Sequence, residues 1–166
     1  MDNNDFVKSV LDQLQQENDE IDALLGPCFG PNGNYYLNLY GFSTINSTQF
    51  PEWDEIEICR EWIRTFCSVG KSVNRDRTSY KLKRAVEEWV KMEGKSPDSI
   101  SNGAFIGAAI LEHYRADPVL KPGRVQTDPI NAVFNLLLPV TEQDREKCCW
   151  VVATEKIKAK TIKVSS

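Results

Sequence analysis

The first 25 residues carry apolar side chains at spacings of three and four, with acidic side chains between them. This spacing places the apolar positions on one face of a helix and predicts an acidic amphipathic helix over residues 3–25. Asn18 interrupts the stripe, so the sequence leaves open whether the helix packs on its own domain or pairs with a second copy. The stripe consists of Phe6, Val7, Val10, Leu11, Leu14, Ile21, Leu24 and Leu25.

In the next part of the chain the spacing of the apolar side chains changes from a helical to an alternating pattern and then back to a helical one. Residues 35–45 follow a cluster of glycine, proline and asparagine and alternate apolar with polar side chains, which predicts a strand or a short hairpin. A helical pattern returns from Pro51, and Gly70 is its predicted end. The polar and basic residues between Gly70 and Ser79 are predicted to form a loop.

Residues 78–115 predict two helices joined by a short turn. In the first helix, apolar residues recur at spacings of three and four after an N-cap at Thr78 or Ser79, and Gly94 follows its end. The second helix begins near Asn102 and is rich in glycine and alanine, which suits close packing against a neighbour.

The C-terminal part begins with proline-containing breaks. Residues 117–129 are predicted to form a connecting loop, and residues 130–138 either a buried strand or a short core helix. Whether residues 35–45 and 130–138 pair in a sheet is left open. A last helix is predicted from Thr141, and the basic tail from about residue 156 is expected to be flexible.

These patterns predict a mainly α fold, or α+β with a minor sheet. We expect residues 1–166 to form a single globular unit, a compact helical domain with one short hairpin or small sheet. The composition, 41% hydrophobic and 27% charged, is that of a globular chain. No run of about 18 apolar residues is present, and the N-terminus lacks the positive charge of a signal peptide, so no membrane contact and a cytoplasmic location are expected.

Residue types that support metal binding or nucleophilic catalysis are scarce. The five cysteines include no Cys-x-x-Cys pair, and His113 is the only histidine, so no zinc site, other metal or cofactor is expected. The adjacent Cys148 and Cys149 are consistent with a redox pair or with two small buried hydrophobic residues, and the second interpretation is the commoner one. Gly70-Lys71-Ser72 lacks the upstream glycine of a phosphate-binding loop.

Paired carboxylates supply the one catalytic alternative. Asp54 and Glu57 lie three residues apart and share a face of the predicted helix. They are consistent with a small metal-dependent hydrolase or nuclease, although acids in a first helical turn more often face solvent.

Basic residues cluster between residues 71 and 84. Residues 1–60 contain 11 acidic and 2 basic side chains, whereas residues 61–166 contain 13 acidic and 18 basic ones, so the two parts have opposite net charge. A basic cluster neutralises phosphates in nucleic-acid-binding proteins, or it is attracted to an acidic surface of the same chain. The candidate nucleic-acid or partner-binding residues are Lys71, Arg75, Arg77, Lys81, Lys83 and Arg84.

Three segments resemble a pattern found in small uncharacterised proteins carried on bacterial plasmids and phages. They are residues 79–83 (SYKLK), 100–109 (ISNGAFIGAA) and 129–135 (PINAVFN), so the resemblance covers about residues 78–136. The resemblance implies a mobile-element origin and assigns no functional residue. Arg84 stands where a histidine is expected in that family.

The sequence therefore predicts a small non-enzymatic interaction or regulatory protein of mobile-element type. The basic residues between positions 71 and 84, which lead into the first helix of the pair, would contact nucleic acid or an acidic partner. One alternative is an acidic inhibitor or nucleic-acid mimic that docks on a host protein through the N-terminal helix. A homodimer is compatible with the sequence but is not indicated by it.

Overall fold

The computed structural model of the chain describes residues 2–25, 33, 35–45, 49–120 and 129–165. More than half of the residues in these ranges are helical and two small antiparallel sheets are present, so the fold is α+β. None of the described helices is long and apolar enough to cross a bilayer. The elements in chain order are α1 (Asn3–Leu24), β1 (Tyr36–Asn38), β2 (Gly41–Ser43), α2 (Trp53–Phe66), β3 (Ser68–Thr78), α3 (Ser79–Glu93), α4 (Asn102–Leu111), β4 (Ala116–Pro118), β5 (Ala132–Leu137), α5 (Glu142–Lys147) and α6 (Trp150–Ser165).

Strands β1 and β2 form a hairpin, which confirms the prediction for residues 35–45. Leu37 pairs with Phe42 across the hairpin, and both side chains are buried. Phe42 also exchanges two backbone hydrogen bonds of 2.9 Å with Ile130, shortly before β5. The hairpin therefore meets the 130–138 segment at one isolated bridge, and the two do not form a continuous sheet.

A second sheet, in the strand order β3-β5-β4, is the main departure from the predicted architecture of one small sheet. The predicted loop between Gly70 and Ser79 lies in strand β3, and residues 130–138 supply strand β5 and not a helix. The loop prediction rested on polar composition. Because β3 is an edge strand and no residue along it is fully buried, it needs few apolar side chains.

The core lies between helices α2, α3 and α4 and the buried side chains of β5. Phe105 of α4 stands at its centre, with ring-centroid distances of 6.0 Å to Trp62 and 5.5 Å to Phe134. Helix α4 approaches the hairpin very closely, because a Cβ atom on Gly103 would lie 1.9 Å from the carbonyl oxygen of Asn38. The small residues of α4 therefore serve close packing, as the sequence indicates.

The helix pair begins where the sequence predicts, but α4 ends at Leu111 and not near residue 115. The Thr78 hydroxyl accepts a hydrogen bond of 3.4 Å from the amide of Lys81 and caps α3, and Gly94 follows α3 with a left-handed φ of 66°. The Ser101 hydroxyl accepts from the amide of Ala104 at 3.1 Å and caps α4. These local contacts explain why propensity and capping signals locate both helices.

The C-terminal segment forms two helices where the sequence predicts one. Thr141 caps α5, which ends at Lys147. Cys148 and Cys149 are not helical and separate α5 from α6, which runs from Trp150 to Ser165. The tail from about residue 156, expected to be flexible, is part of this helix. The predicted 117–129 loop contains the end of β4, and its residues 121–128 lie outside the described residues.

Candidate functional site

The six basic residues predicted as a binding site fall into two groups. One group lies on the edge strand β3 and the other on the first turns of α3. The strand group is Lys71, Arg75 and Arg77, and the helix group is Lys81, Lys83 and Arg84. The two groups follow each other along the chain but have different surroundings.

The strand group faces solvent. Lys71 and Arg75 are exposed, and neither forms an ion pair with another described residue. Arg77 is half-buried, and burial followed by the positive charge of Arg145 lowers its pKa. Lys71 and Arg75 are therefore available to an anionic ligand such as a phosphate, whereas Arg77 is accessible only in part.

The side chains of the helix group form ion pairs and hydrogen bonds within the protein. Glu87 is 5% exposed, and its carboxylate accepts hydrogen bonds from Lys83 at 2.9 Å and from Arg84 at 2.7 Å. The ammonium of Lys81 donates to the carbonyl oxygen of Asp76 at 3.1 Å. Because a buried carboxylate without its partners is strongly destabilising, Lys83 and Arg84 are needed to neutralise Glu87. The predicted basic cluster is thus divided between surface and structural roles.

Helix α1 extends from the domain with its apolar stripe uncovered. Only its last turn reaches the core, where Leu24 is 1% exposed. Of the two alternatives left by the sequence, packing on the domain applies to this end of the helix alone. The remaining stripe is exposed: Phe6 by 58%, Val7 by 54%, Val10 by 39%, Leu11 by 60% and Leu14 by 50%.

Arg60 of α2 holds the C-terminal part of α1. It is only 7% exposed and donates hydrogen bonds to Glu20 of α1 and, at 3.0 Å, to Glu112 at the end of α4. Burial by itself lowers the pKa of Arg60, but hydrogen bonding to Glu112 and the charge of Glu20 outweigh burial and raise it. The ion pairs therefore connect three helices at the base of α1.

Acidic side chains of α2 continue the negative charge of α1. A groove of about 190 Å³ between the two helices is lined in part by Glu20 and Glu57. A second groove of about 640 Å³ adjoins it, shares Glu57 and Arg64 with it, and is lined also by Asp54 and Glu61. Arg60 pairs with Glu57 and Lys95 with Glu61, so the carboxylates Asp54 and Glu57 lie on a surface whose acids are partly neutralised.

A cavity of about 540 Å³, which we call the helix-start cavity, lies where α2, α3 and α4 begin. Tyr40 and Tyr80 are 58% and 40% exposed and stand at its mouth. The lining residues are Leu39, Tyr40, Glu55, Tyr80, Lys83, Ser99, Ile100, Ser101, Asn102 and Asn131. Six of these ten belong to the segments 79–83, 100–109 and 129–135.

Asn102, the first residue of α4, forms hydrogen bonds to two other segments that line this cavity. Its Nδ2 donates hydrogen bonds to the carbonyl oxygen of Tyr40 at 3.0 Å and to Oδ1 of Asn131 at 2.9 Å. Its own Oδ1 is buried without a donor among the described residues. A buried amide oxygen without a donor lowers the stability of the fold by about 1–3 kcal/mol, so the other contacts of the fold must offset this cost.

The other residues considered for chemistry occupy ordinary structural positions. His113 is exposed just beyond α4, and no group of three or more potential metal ligands occurs in the described ranges. Cys28 lies outside those ranges. Burial raises the pKa of each described thiol, to about 11 for Cys149, and the others are Cys59, Cys67 and Cys148. A raised thiol pKa disfavours the reactive thiolate, which agrees with the hydrophobic interpretation of Cys148 and Cys149.

The fold and these surfaces define a small α+β protein with a projecting acidic helix, an exposed basic strand and a polar cavity at the start of three helices. Comparison with known proteins finds no matching family model, no similar curated protein and no similar solved structure.

Proposed function

We propose that this chain is a non-enzymatic interaction protein whose helix α1 binds a basic, amphipathic segment of a partner protein. The observation that carries the proposal is the uncovered apolar stripe between Phe6 and Leu14. A contiguous exposed apolar surface on a globular domain typically marks an interaction site. A cytoplasmic location and a mobile-element origin, suggested by the sequence, are part of this proposal.

The charges beside the stripe select the chemistry of the partner. Residues 2–22 contain seven acidic side chains and a single basic one, Lys8. Two α1 helices placed side by side would bring these acids together, which is unfavourable. A partner helix with apolar residues at helical spacing and lysine or arginine beside them matches both the stripe and the charge. We therefore favour a partner of different sequence over a second copy of this chain.

The attachment of α1 prepares it for binding. Helices in proteins gain most of their stability from tertiary contacts, and Arg60 and the buried Leu24 fix one end of α1 to the domain. A surface that is already ordered loses less conformational entropy on association. A partner that follows α1 toward the domain next meets α2, where Glu57 is paired with Arg60 and Glu61 with Lys95. Asp54, which has no ion pair among the described residues, adds one more negative charge there.

The test measures binding of a synthetic basic amphipathic peptide of about 18 residues to the whole protein. Leu11→Ser combined with Leu14→Ser removes the centre of the stripe and changes no charge. Val140→Ser is the matched control, because Val140 is 92% exposed and lies far along the chain from α1. We expect the double variant to weaken binding about tenfold or more and the control to bind like wild type. Equal affinities for all three proteins would overturn the proposal.

The oligomeric state supplies an independent check. The proposal expects the wild-type protein to sediment as a monomer, because the acids of α1 oppose self-pairing. A dimer that dissociates in the Leu11→Ser, Leu14→Ser variant would assign the stripe to self-association and would contradict a heterotypic partner.

A second candidate function is nucleic-acid binding by strand β3. Lys71 and Arg75 favour it, because they are exposed and unpaired within the described ranges, and Arg77 adds a third positive charge. Lys83 and Arg84 contribute less, because Glu87 neutralises them. This candidate needs no catalytic group and is tested by the salt dependence of binding.

A further inference from the structure

The helix-start cavity has no role in docking through α1. We propose that it binds a nucleobase, supplied either by a free nucleotide or by a single-stranded nucleic acid. The proposal is independent of the partner of α1, and it rests on the size, the aromatic mouth, the polar lining and the charge balance of the cavity.

The position and size of the cavity suit a small organic ligand. Its volume of about 540 Å³ falls within the roughly 300–1,000 Å³ that is typical of small-molecule sites. Glu55 comes from the first turn of α2, Lys83 from the start of α3, and Asn102 opens α4. Side chains from three helices and from the hairpin turn therefore converge on one space, which is how a binding pocket is assembled from distant parts of a chain.

The mouth of the cavity offers two aromatic surfaces. Tyr40 lies in the hairpin turn and Tyr80 in the first turn of α3, and both rings are substantially exposed. The ammonium of Lys83 lies 5.2 Å from the ring centroid of Tyr80, which helps to hold that ring in place. Exposed aromatic rings beside a polar pocket are the feature on which proteins stack unpaired bases.

The interior contains hydrogen-bond donors and acceptors in close proximity. Glu55 lines the cavity, and one of its carboxylate oxygens accepts a hydrogen bond from the amide of Ser101 at 2.6 Å. Ser99 adds a hydroxyl and Asn131 an amide, while the buried Ile100 supplies apolar surface. A nucleobase presents both donors and acceptors along its edges, and amide side chains pair with such edges.

The charge of the cavity favours the ring of a nucleotide over its phosphate. Lys83 is the basic residue in the lining, and its ammonium is already paired with the buried carboxylate of Glu87. Glu55 places a negative charge in the lining as well. A free inorganic anion would meet this carboxylate without an unpaired cation to compensate, so an uncharged heterocycle is the better match.

In the experiment the whole protein is titrated with AMP, GMP, CMP or UMP, and binding is measured by isothermal titration calorimetry. Tyr40→Ala and Tyr80→Ala each remove one stacking surface, and both positions are exposed enough to tolerate alanine. Phe6→Ala is the matched control, because Phe6 is an aromatic residue that is 58% exposed, as Tyr40 is, but lies on α1. We expect at least one nucleotide to bind, each tyrosine variant to weaken it by about tenfold, and Phe6→Ala to leave it unchanged.

A second arm identifies the source of the base. Short single-stranded oligonucleotides that bind much more tightly than mononucleotides, with the same loss in Tyr80→Ala, would assign the site to a nucleic-acid strand. Equal affinity would assign it to a free nucleotide. The proposal is overturned if neither ligand saturates the protein at about 10 mM, if the tyrosine variants bind like wild type, or if neutral saccharides bind in place of nucleotides. Inorganic phosphate that competes with the nucleotides would also contradict recognition of the ring.

Discussion

The guanidinium of Arg60 and the carboxylate of Glu20 lie 2.5 Å apart and join helix α1 to the domain. Glu20 precedes the buried Leu24 by one helical turn, so the ion pair and the apolar contact fix the same end of the helix. The side chains of residues 6–14 are left in solvent as a result. The uncovered stripe is therefore a surface held away from the core by specific contacts.

Removal of this ion pair is expected to be costly. Arg60→Ala leaves Glu20 and Glu112 without their buried partner and should lower the free energy of unfolding by about 3–5 kcal/mol. Arg64→Ala is the control, because Arg64 also bonds Glu112 but its side chain is 57% exposed, and it should cost about 1 kcal/mol or less. Urea denaturation of the three proteins measures both values. Equal losses for the two variants would show that Arg60 is not the main attachment.

The close approach of α4 to the hairpin gives a prediction about glycine. A Cβ atom on Gly103 would lie 1.9 Å from backbone, so Gly103→Ala should force α4 away from β1 and cost about 1–3 kcal/mol or more. In Gly107→Ala the new atom meets the side-chain ends of Leu37 and Leu24 at 3.2 and 3.3 Å, and the gain in helix propensity offsets the crowding to within about 1 kcal/mol. Thermal unfolding compares the two. Wild-type stability in Gly103→Ala would show that this packing is not required.

Alkaline pH should destabilise the fold through its buried thiols. Burial, with smaller contributions from neighbouring groups, raises the pKa of Cys149 from 9.0 to about 11. A thiol whose folded pKa is raised adds stability that is complete below its unfolded pKa and is lost as the pH rises through the folded value. Stability attributable to this thiol should therefore fall between about pH 9 and pH 11.

Cys149→Ala tests this assignment. The variant should show a shallower fall of the urea midpoint over that range than the wild type, because it has no thiol to ionise at this position. Parallel curves for the two proteins would mean that Cys149 makes no contribution to the alkaline transition.

The second candidate function predicts a salt-dependent interaction. If β3 binds DNA, Lys71→Glu combined with Arg75→Glu should abolish low-salt binding, and single Lys71→Ala should reduce the slope of log affinity against log salt by about one. Arg115→Glu is the control, because Arg115 is exposed but paired with Asp117. Filter binding with single- and double-stranded DNA across a salt series provides the measurement. Absence of binding by the wild-type protein at low salt would remove this candidate.

The helices were predictable because their signals are local. Thr78, Gly94 and Thr141 begin or end helices through contacts within a few residues, and these positions can be recognised in the sequence. Strand β3 was not predictable in this way, because its pairing partner β5 lies far along the chain and its own residues are polar. The break at Cys149 was missed as well, because nothing in its residue type indicates the positive φ of 63°.

The candidate surfaces were predictable to different extents. The apolar stripe of α1 is evident from spacing, but its exposure depends on how Arg60 attaches the helix. The basic cluster is also evident, whereas the burial of Glu87 that engages Lys83 and Arg84 depends on tertiary packing. The helix-start cavity could not be predicted from spacing, because residues such as Tyr40 and Asn131 come together only in the fold.

Amide hydrogen exchange of the whole protein, with and without the basic amphipathic peptide, tests the central claim most directly. Our account predicts that the peptide slows exchange in residues 3–14 of α1, whose side chains are exposed in the free protein, and leaves β3 unchanged. It also predicts that the Leu11→Ser, Leu14→Ser variant shows no such protection. Unchanged exchange in α1 while the peptide is bound, or protection confined to another element, would contradict the assignment of α1 as the binding surface.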